Sequence, residues 1–279
     1  MPGRLIPMTD EEFQLMRDLI YELTGISFTI KQRYSLQTKL NKLLEEKRMR
    51  FYKDYYRFLK FDRRKEDEYK KLFDAVTVNE TYFYRELPQI KVFQNEILKE
   101  LKEIKKNQKK LKIWSAASST GEEPYTLAMS IQESGLFDSS WNIEVFGSDI
   151  SGEVLATARK GIYSEISFRT IEQNLKSKYF SKMDNGKYKI DDNIKKMVSF
   201  MQINLINQPM IRRLAPIDVI FCRNVLIYFD LDSKKKVANT LYDVLAPHGY
   251  LFISQTESLF KISNSFHLKT SNGALMYRK

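Results

Sequence analysis

The chain has 279 residues, of which 43% are hydrophobic and 13% aromatic, and its formal net charge is +11. This length suffices for a full α/β core, the composition excludes a disordered chain, and Arg223 and Asn224 interrupt the longest apolar stretch, which excludes a membrane span there. One cysteine excludes an internal disulfide, and with two histidines we predict no metal site.

The first part of the chain is predicted to be entirely helical. Thr9 and Glu12 have the spacing of a capping box, a helical stripe of apolar residues follows, and Gly25 is placed to end the helix. A second helix is expected over 31–48, followed by helices over 51–59 and 66–76. No strand pattern occurs here, so we predict a separate N-terminal domain over residues 1–76 and a second domain over 77–279.

Positive charge is concentrated in two segments. Residues 31–60 carry ten Lys or Arg against three Asp or Glu, and the basic side chains fall on the outward face of the second helix. Such a face favours an anionic partner, which includes nucleic acid, a membrane surface or an acidic protein. Residues 99–112 carry seven lysines, and there we favour a solvated surface over a binding site.

From residue 111 onward, strand and helix patterns alternate. Strands are predicted at LKIWSA, NIEVFGSDI, MVSFMQINL, IDVIFCRN and GYLFISQ, and helices at EEPYTLAMSIQES, SGEVLATARKG and SKKKVANTLYDVLA. This alternation predicts a doubly wound parallel sheet, which binds ligands at the carboxyl ends of its strands.

One segment departs from the alternation. Asp184-Asn185-Gly186 lies between two short strand-like runs, which is a hairpin signal. We therefore predict a small β insertion over about 179–203.

The loop after the first predicted strand, SAASSTGEEPY, is built from small residues. A phosphate-binding loop would place a lysine after its last glycine, whereas Glu122 and Glu123 follow Gly121 here. Small residues allow a ligand close to the backbone, and the carboxylates favour a cationic one. S-adenosylmethionine, with a sulfonium, an ammonium and two ribose hydroxyls, fits these requirements, and a tight structural turn is the alternative.

Polar residues also follow the next three predicted strands. Asp149 ends the second strand, where a carboxylate commonly accepts from a ribose diol, and its alternative role is N-cap of the following helix. Asn204 follows MVSFMQ, and Arg223 and Asn224 follow the buried run IDVIFC. Strand ends of a parallel sheet converge, so these residues are expected to share one crevice.

Taken together, five motifs resemble the CheR family of chemotaxis-receptor glutamate methyltransferases. They are TVNETYFYRE (77–86), WSAASSTGEEPYTLAM (114–129), GSDIS (147–151), ARKGIY (158–163) and IFCRNVLIYFD (220–230). The similarity runs from about residue 9 to the C-terminus. Two departures are Tyr84, where the family often has phenylalanine, and Ser118, where it often has cysteine or alanine.

The resemblance implies a Rossmann-like S-adenosylmethionine-dependent methyltransferase domain after an all-helical domain. It implies methylation of glutamate side chains on chemoreceptors, which yields a glutamyl methyl ester and S-adenosylhomocysteine. By motif position, the cofactor contacts would be Asn79, Thr81, Arg85, Glu123, Asp149, Asn204, Leu205, Arg223 and Asn224. The basic face of the helical domain would contribute to receptor recognition, and the β insertion would be the place to dock a receptor tether.

A glutamate carboxylate is ionised near neutral pH, so its methylation needs no general base. Arg85 and Tyr228 are our candidates for steering that carboxylate. Core packing is the alternative for Tyr228, and for Arg85 the alternatives are a salt bridge to Glu86 or to the cofactor carboxylate. Because the hairpin turn MDNGK is short, we expect a tether-independent enzyme that contacts its substrate mainly through the basic helix.

Two other functions compete with this one. A nucleic-acid methyltransferase would suit the positive charge, but no Pro-Pro loop occurs, and Cys222 is predicted to lie in a buried strand rather than to act as a nucleophile. A cofactor-binding scaffold without turnover would keep the strand-end residues. We expect a cytoplasmic protein, since the N-terminus lacks the apolar core of a signal peptide. We also expect the protein to be a monomer. Its expected partner is the cytoplasmic domain of chemoreceptors, and not nucleic acid or a membrane.

Overall fold

The computed structural model describes residues 5–279, which divide into two compact units. One consists of the chain up to Val78 together with Tyr228–Ser233, and the other of Asn79–Ile227 and Lys234–Lys279. Within the described residues, no helix combines the length and apolarity needed to cross a bilayer.

The first unit is helical. Its helices are α1 (Asp10–Thr24), α2 (Arg33–Glu46), α3 (Tyr52–Phe61) and α4 (Lys65–Val76), with a short 3₁₀ turn at Ile30–Gln32. The predicted capping box is confirmed, because Thr9 Oγ1 accepts from the Glu12 N–H and the Glu12 carboxylate accepts from the Thr9 N–H. Gly25 ends α1 in the left-handed conformation, as predicted. The core of this unit includes Phe13, Met16, Leu36, Leu40, Tyr52, Tyr55 and Leu72.

A distant piece of chain completes the helical unit. Phe229 forms an antiparallel bridge with Ile26, the Ser27 N–H donates to the Tyr228 carbonyl at 2.9 Å, and the Tyr21 hydroxyl donates to Asp230 at 3.0 Å. Sequence periodicity carries no signal for this association, because the paired segments are about two hundred residues apart.

The structure corrects our description of the basic helix at Lys39. Its ammonium donates to the carbonyls of Ala75 and Thr77 at the end of α4, and burial lowers the pKa of Lys39. Lys39 therefore stabilises the C-terminus of α4, whereas Lys42 and Arg50 are exposed as expected.

The second unit contains a seven-stranded sheet in the order β6-β2-β1-β7-β8-β10-β9. Its strands are β1 (Lys110–Ala116), β2 (Asn142–Asp149), β6 (Val198–Gln202), β7 (Ile217–Phe221), β8 (Leu245–Phe252), β9 (His267–Ser271) and β10 (Ala274–Arg278). The first five strands in this order are parallel, which confirms the predicted doubly wound sheet. The two C-terminal strands are antiparallel and were not predicted.

Helices connect these strands. They are α5 (Leu87–Val92), α6 (Leu98–Ile104), α7 (Glu122–Ser134), α8 (Gly152–Lys160), α9 (Gln173–Tyr179), α10 (Asp192–Lys196), α11 (Gln208–Arg212) and α12 (Leu231–Val244). A π-helical turn at Phe93–Ile97 joins α5 to α6. The buried faces of α5 to α7 pack on the apolar side chains of β1, β2, β7 and β8 in one core.

A separate three-stranded sheet is inserted in this unit, in the order β3-β5-β4. It consists of β3 (Ile162–Tyr163), β4 (Phe180–Lys182) and β5 (Tyr188–Ile190), and the turn at Asp184-Asn185-Gly186 is formed as predicted. The predicted bounds of 179–203 need correction at both ends. The insertion begins at β3, and Val198–Gln202 belongs to the main sheet, since its backbone pairs with β2.

Candidate cofactor and active site

The carboxyl ends of β1, β2, β6 and β7 lie at one edge of the main sheet. Ala116 on β1 pairs with Ser148 on β2, and Asp149 pairs with Gln202 on β6. Because these strands are parallel and in register, the residues that follow them emerge together. The structure therefore brings the residues after four strands to one place, as the sequence predicted.

The small-residue loop after β1 has an unusual backbone. Ala117 and Ser119 have positive φ angles of 57° and 49°, and Gly121 has a φ of 93°. A Cβ atom on Gly121 would stand 2.8 Å from the Cβ of Ala158, so only glycine fits against α8. The Ser118 Oγ is buried and has no hydrogen-bond partner among residues 5–279. Left-handed residues other than glycine cost free energy and cluster at ligand sites, so this loop is a candidate for ligand binding.

Asp149 holds this loop and the start of α8. One of its carboxylate oxygens accepts from the Ser119 N–H at 2.9 Å and the other from the Ser151 N–H at 3.0 Å. The N-cap of α8 is Ser151, whose hydroxyl accepts from the Val154 N–H, so the alternative assignment of Asp149 as the N-cap is wrong. Asp149 is instead a buried acceptor at the end of β2.

Arg223 and Glu123 form a buried ion pair at the same edge. The Arg223 Nε lies 2.6 Å from Glu123 Oε2, and the two side chains are only 2% and 13% exposed. The Nη1 of the same guanidinium donates to the Arg85 carbonyl at 2.9 Å and to Gln89 Oε1 at 3.2 Å. The second Glu123 oxygen accepts from the Ser115 hydroxyl. These bonds satisfy the two desolvated charges, which a buried pair requires.

Glu122 takes a different position from the one the sequence suggested. Its carboxylate is buried and accepts from the hydroxyls of Thr120 and Ser167, at 2.6 Å and 3.1 Å. Burial raises the pKa of Glu122. Since Glu123 is neutralised by Arg223, the expectation that both carboxylates stand ready for a cationic ligand needs correction. In this structure, both are engaged by the protein.

The segment before α5 also differs from one expectation. Arg85 makes no salt bridge to Glu86. Its Nη1 donates to the Glu80 carbonyl at 3.0 Å, while Glu86 accepts from the Ser254 hydroxyl at 2.6 Å and lies 3.8 Å from Arg223. Glu86 has a φ of 57°, and this left-handed turn separates its side chain from that of Arg85.

The other predicted residues are distributed as follows. The Asn79 carbonyl accepts from the Ser119 hydroxyl, and Thr81 is half-buried in the same segment. Asn204 accepts from the Ile206 N–H, and Leu205 is buried beside it. All nine predicted cofactor residues belong to the second unit, whereas Tyr228, the second candidate for steering the acceptor, is grouped with the helical unit.

Two residues of the site were missed by sequence reasoning. Glu257 accepts from the N–H groups of Asn224 and Ser254, both at 2.9 Å, and burial raises its pKa. Gln89 is fully buried and joins Arg223 to the carbonyl of Ile253. Glu257 follows β8, so the rule applied to the other strand ends would have found it. Gln89 lies inside a helix, and no pattern marks it.

These residues fit S-adenosylmethionine better than they fit a nucleotide. A buried carboxylate at the end of β2 suits a ribose diol, and the glycine loop against α8 leaves the backbone accessible. No lysine follows Gly121 to offset phosphate charge, and the arginine at the end of β7 is already paired with Glu123. Cys222, beside that arginine, is fully buried, and burial raises the pKa of its thiol, which fits the predicted structural role.

Comparison with known proteins finds matches to both parts of the chain. A family model described as the S-adenosylmethionine-binding domain of CheR methyltransferases matches residues 79–274, and the all-α domain of the same family matches residues 11–77. Chemotaxis protein methyltransferase 2 of Vibrio cholerae is 35% identical, with 98% of this chain and 94% of that protein covered. The chemotaxis protein methyltransferase of Borreliella burgdorferi is 32% identical, with 91% and 90% covered.

Proposed function

The chain belongs to the CheR methyltransferase family, and from that membership we propose that it methylates glutamate side chains of chemoreceptors with S-adenosylmethionine. The products would be a glutamyl methyl ester and S-adenosylhomocysteine. The observation that carries this proposal is a set of contacts at one edge of the sheet. Asp149 accepts from the Ser119 N–H of the small-residue loop, Arg223 pairs with Glu123, and Arg223 also donates to the Arg85 carbonyl. Arg85 itself contacts no carboxylate among residues 5–279, which leaves its guanidinium for an anionic substrate.

In this proposal the strand-end residues bind the cofactor. Asp149 would accept from the ribose hydroxyls, and Leu205 would provide apolar contact. The further contacts would come from Asn79, Thr81, Arg85, Glu123, Asn204, Arg223 and Asn224. When bound, S-adenosylmethionine supplies a methyl group on a positively charged sulfur. The role of the Arg223–Glu123 pair would be to hold the β1 and β7 ends in a fixed geometry, so that the cofactor meets a preorganised surface.

Arg85 and Tyr228 would orient the acceptor. The substrate carboxylate is ionised near neutral pH, so the protein needs no general base. Its task is to align the carboxylate oxygen and to exclude water. A very tight ion pair would hold back the acceptor, since its charge is neutralised as the ester forms. Arg85 and the Tyr228 hydroxyl would therefore each orient the carboxylate through a hydrogen bond, without a bidentate ion pair.

Radiolabelled methyl transfer to receptor membranes tests the proposal. We expect label to appear on receptors, to survive nuclease treatment and to be released by mild base, because a carboxyl ester is base-labile. Label that disappears with nuclease would favour a nucleic-acid methyltransferase. Binding of S-adenosylhomocysteine without any transfer would favour a scaffold.

We also propose that the helical domain recognises the receptor through its basic face, in the cytoplasm and as a monomer. Lys42 and Arg50 are exposed and suit an acidic partner, whereas Lys39 is excluded from this role because it stabilises α4. Replacing Lys42 and Arg50 by glutamate should raise the KM for receptor and leave affinity for S-adenosylhomocysteine unchanged. Normal methylation by this variant would make the basic face a solvated surface only.

Independence from a receptor tether stays a prediction. The hairpin turn is tight, with the Met183 N–H donating to the Lys187 carbonyl at 2.7 Å and the Gly186 N–H to the Met183 carbonyl at 3.0 Å. Strand β4 forms an edge of the small sheet, to which a peptide would add by backbone hydrogen bonds. Titration with a peptide that copies the receptor C-terminus should show no micromolar binding. Binding that disappears on disruption of residues 181–190 would contradict this expectation.

A further inference from the structure

The segment that carries Arg85 holds a second arginine in an unusual arrangement. The guanidinium carbon of Arg169 lies 3.7 Å from the centroid of the Tyr82 ring, and that of Arg85 lies 5.5 Å from the same centroid. Arg169 also forms an ion pair with Glu80 at 2.7 Å, and Arg85 donates to the Glu80 carbonyl. These four residues, Glu80, Tyr82, Arg85 and Arg169, are called the Tyr82 cluster below.

The Tyr82 cluster keeps an excess of positive charge at the surface. It contains two guanidinium groups and one carboxylate, and that carboxylate is paired with Arg169. Both arginines are attracted by the negative face of the same ring, which offsets their mutual repulsion. The Arg169 side chain is 40% exposed, so the cluster is accessible from solvent. The Arg85 guanidinium is therefore left without a carboxylate partner within residues 5–279, and it can pair with an anionic group of a substrate.

An exposed apolar side chain adjoins the cluster. Ile166 is 71% exposed and lies in a 3₁₀ turn, Glu165–Phe168, that directly precedes Arg169. Side chains three residues apart in such a turn stand on the same side, so Ile166 and Arg169 point in a common direction. Tyrosine and arginine are enriched in binding hot spots, and Ile166 adds an exposed apolar side chain on the side of the turn that carries Arg169.

We propose that the Tyr82 cluster and Ile166 bind the receptor segment that carries the acceptor glutamate, with Arg85 at the acceptor carboxylate and Ile166 against an apolar side chain near it. Tyr82 and Arg169 act as positioning residues, since the shared ring and Glu80 restrict the Arg85 guanidinium. The partner chemistry is an acidic segment that combines a carboxylate, which meets Arg85, with an apolar residue, which meets Ile166. This inference rests on the proposed receptor methylation and adds the residues that would select the substrate.

Two substitutions of Tyr82 distinguish the contribution of its aromatic ring from that of its hydroxyl. Tyr82→Phe keeps the ring face and Tyr82→Leu removes it. With the full-length enzyme and receptor membranes, Tyr82→Leu should raise the KM for receptor about three- to fivefold, the scale of an exposed cation–π contact, while Tyr82→Phe stays near wild type. Affinity for S-adenosylhomocysteine, measured by calorimetry, should not change in Tyr82→Phe, which keeps the ring face that restricts Arg85.

Two variants that each lose one positive charge test the contribution of the Arg169 charge. Arg169→Met should raise the KM for receptor and weaken its dependence on salt, because screening acts on the charge that was removed. Lys269→Met removes an exposed lysine on β9, at the far edge of the main sheet, and should change neither quantity. A purely structural role for Arg169 would lower the melting temperature and leave the salt dependence of KM as in wild type.

The outcomes distinguish two failures. If the wild-type enzyme places base-labile methyl groups on receptors and Tyr82→Leu and Arg169→Met have the same KM as wild type, the inference is wrong and the proposed function stands. An equal loss in Tyr82→Leu and Tyr82→Phe, or an equal effect of Lys269→Met, also overturns it. If the wild-type enzyme transfers no methyl group to receptors, the proposed function fails and the inference fails with it.

Discussion

The two ends of the main sheet each contain an ion pair, and the nitrogen–oxygen distance is the same in both. At the amino end, Lys105 lies 2.6 Å from Asp218, with side chains 15% and 5% exposed. At the carboxyl end, Arg223 lies 2.6 Å from Glu123 and is more deeply buried. The sequence suggested a solvated lysine cluster over 99–112, which Lys105 corrects, because its ammonium is needed to neutralise an aspartate at the start of β7.

The backbone distinguishes the two ends. Around the carboxyl end, Tyr84 and Ser119 have positive φ angles and are buried, whereas at the amino end Lys109 and His248 have positive φ angles and are exposed. A buried left-handed residue persists only where surrounding contacts over-determine it. The two ends therefore differ in backbone conformation more than in charge pairing, since the carboxyl end combines its ion pair with buried left-handed residues.

We expect the largest effect from breaking the Arg223–Glu123 ion pair at the carboxyl end of the sheet. Arg223→Met should lower the free energy of unfolding by about 3–5 kcal/mol, because Glu123 is left buried without its cation. Urea denaturation measures this loss. Arg213→Met removes an exposed arginine of the same unit and should cost little. A loss below about 1 kcal/mol for Arg223→Met would show that the Arg223–Glu123 pair is dispensable for the fold.

Asp149→Asn tests whether the carboxyl end of the sheet binds the cofactor. An amide is a poorer acceptor for two hydroxyls than a carboxylate, so affinity for S-adenosylhomocysteine should fall by about 1.5–3 kcal/mol. Calorimetry measures the change, and Asp184→Asn, at the exposed hairpin tip, serves as the matched control. Unchanged affinity would restrict Asp149 to holding the Ser119 and Ser151 N–H groups.

The amino-end pair should matter for stability only. Lys105→Met leaves Asp218 with the backbone N–H of Lys112 as a remaining donor, so we expect a loss of about 1–3 kcal/mol in the free energy of unfolding. Affinity for S-adenosylhomocysteine should match wild type under conditions where the variant is folded. A change in cofactor affinity would remove the functional distinction between the two ends.

Glycine substitutions test whether the carboxyl-end backbone is strained. Ala117→Gly should stabilise the protein by about 0.5–1 kcal/mol, since the left-handed conformation costs alanine more than the added chain entropy costs glycine. Ala116→Gly, one residue earlier in β1, should destabilise, because that position is extended and buried. Thermal denaturation compares the two variants, and equal losses would show that Ala117 is not strained.

The smallest effect concerns Glu122, a buried carboxylate that has no ion-pair partner within residues 5–279. Burial raises its pKa above the ordinary value of 4.5, so the folded state favours the protonated form. Its contribution to stability is therefore fully present below about pH 4.5 and declines as pH rises through the folded pKa. The stability of Glu122→Gln relative to wild type should increase from pH 5 to pH 8 in urea denaturation. A difference that stays constant with pH would contradict this.

Much of the fold follows from short-range patterns. The capping box at Thr9, the stop at Gly25 and the hairpin turn at Gly186 depend on residues within a few positions of one another, and all three are present in the structure. Strand ends were equally readable, because a parallel sheet brings them together whatever the details of packing. The position of Asp149 and Arg223 at this edge of the sheet could therefore be predicted before their partners were known.

The partners themselves were not predictable. Arg223 pairs with Glu123, one hundred residues away, and not with a residue near it in the chain. Arg85 turns from Glu86 toward Tyr82, and Lys39 leaves the basic face to bind the end of α4. In each case several neighbours offered a similar charge or hydrogen bond, so local sequence alone did not discriminate among them.

By itself, the sequence determined the two classes of secondary structure, the alternation that builds the sheet and the polar residues at its carboxyl edge. The tertiary structure decided which charges are neutralised inside the protein and which stay available for a ligand. The reason is that helix and strand formation depends on periodicity and capping over a few residues, whereas the fate of a charge depends on how far packing removes it from water. For Glu122, Glu123 and Arg223, the extent of burial is set by the fold and not by the neighbouring residues in the sequence.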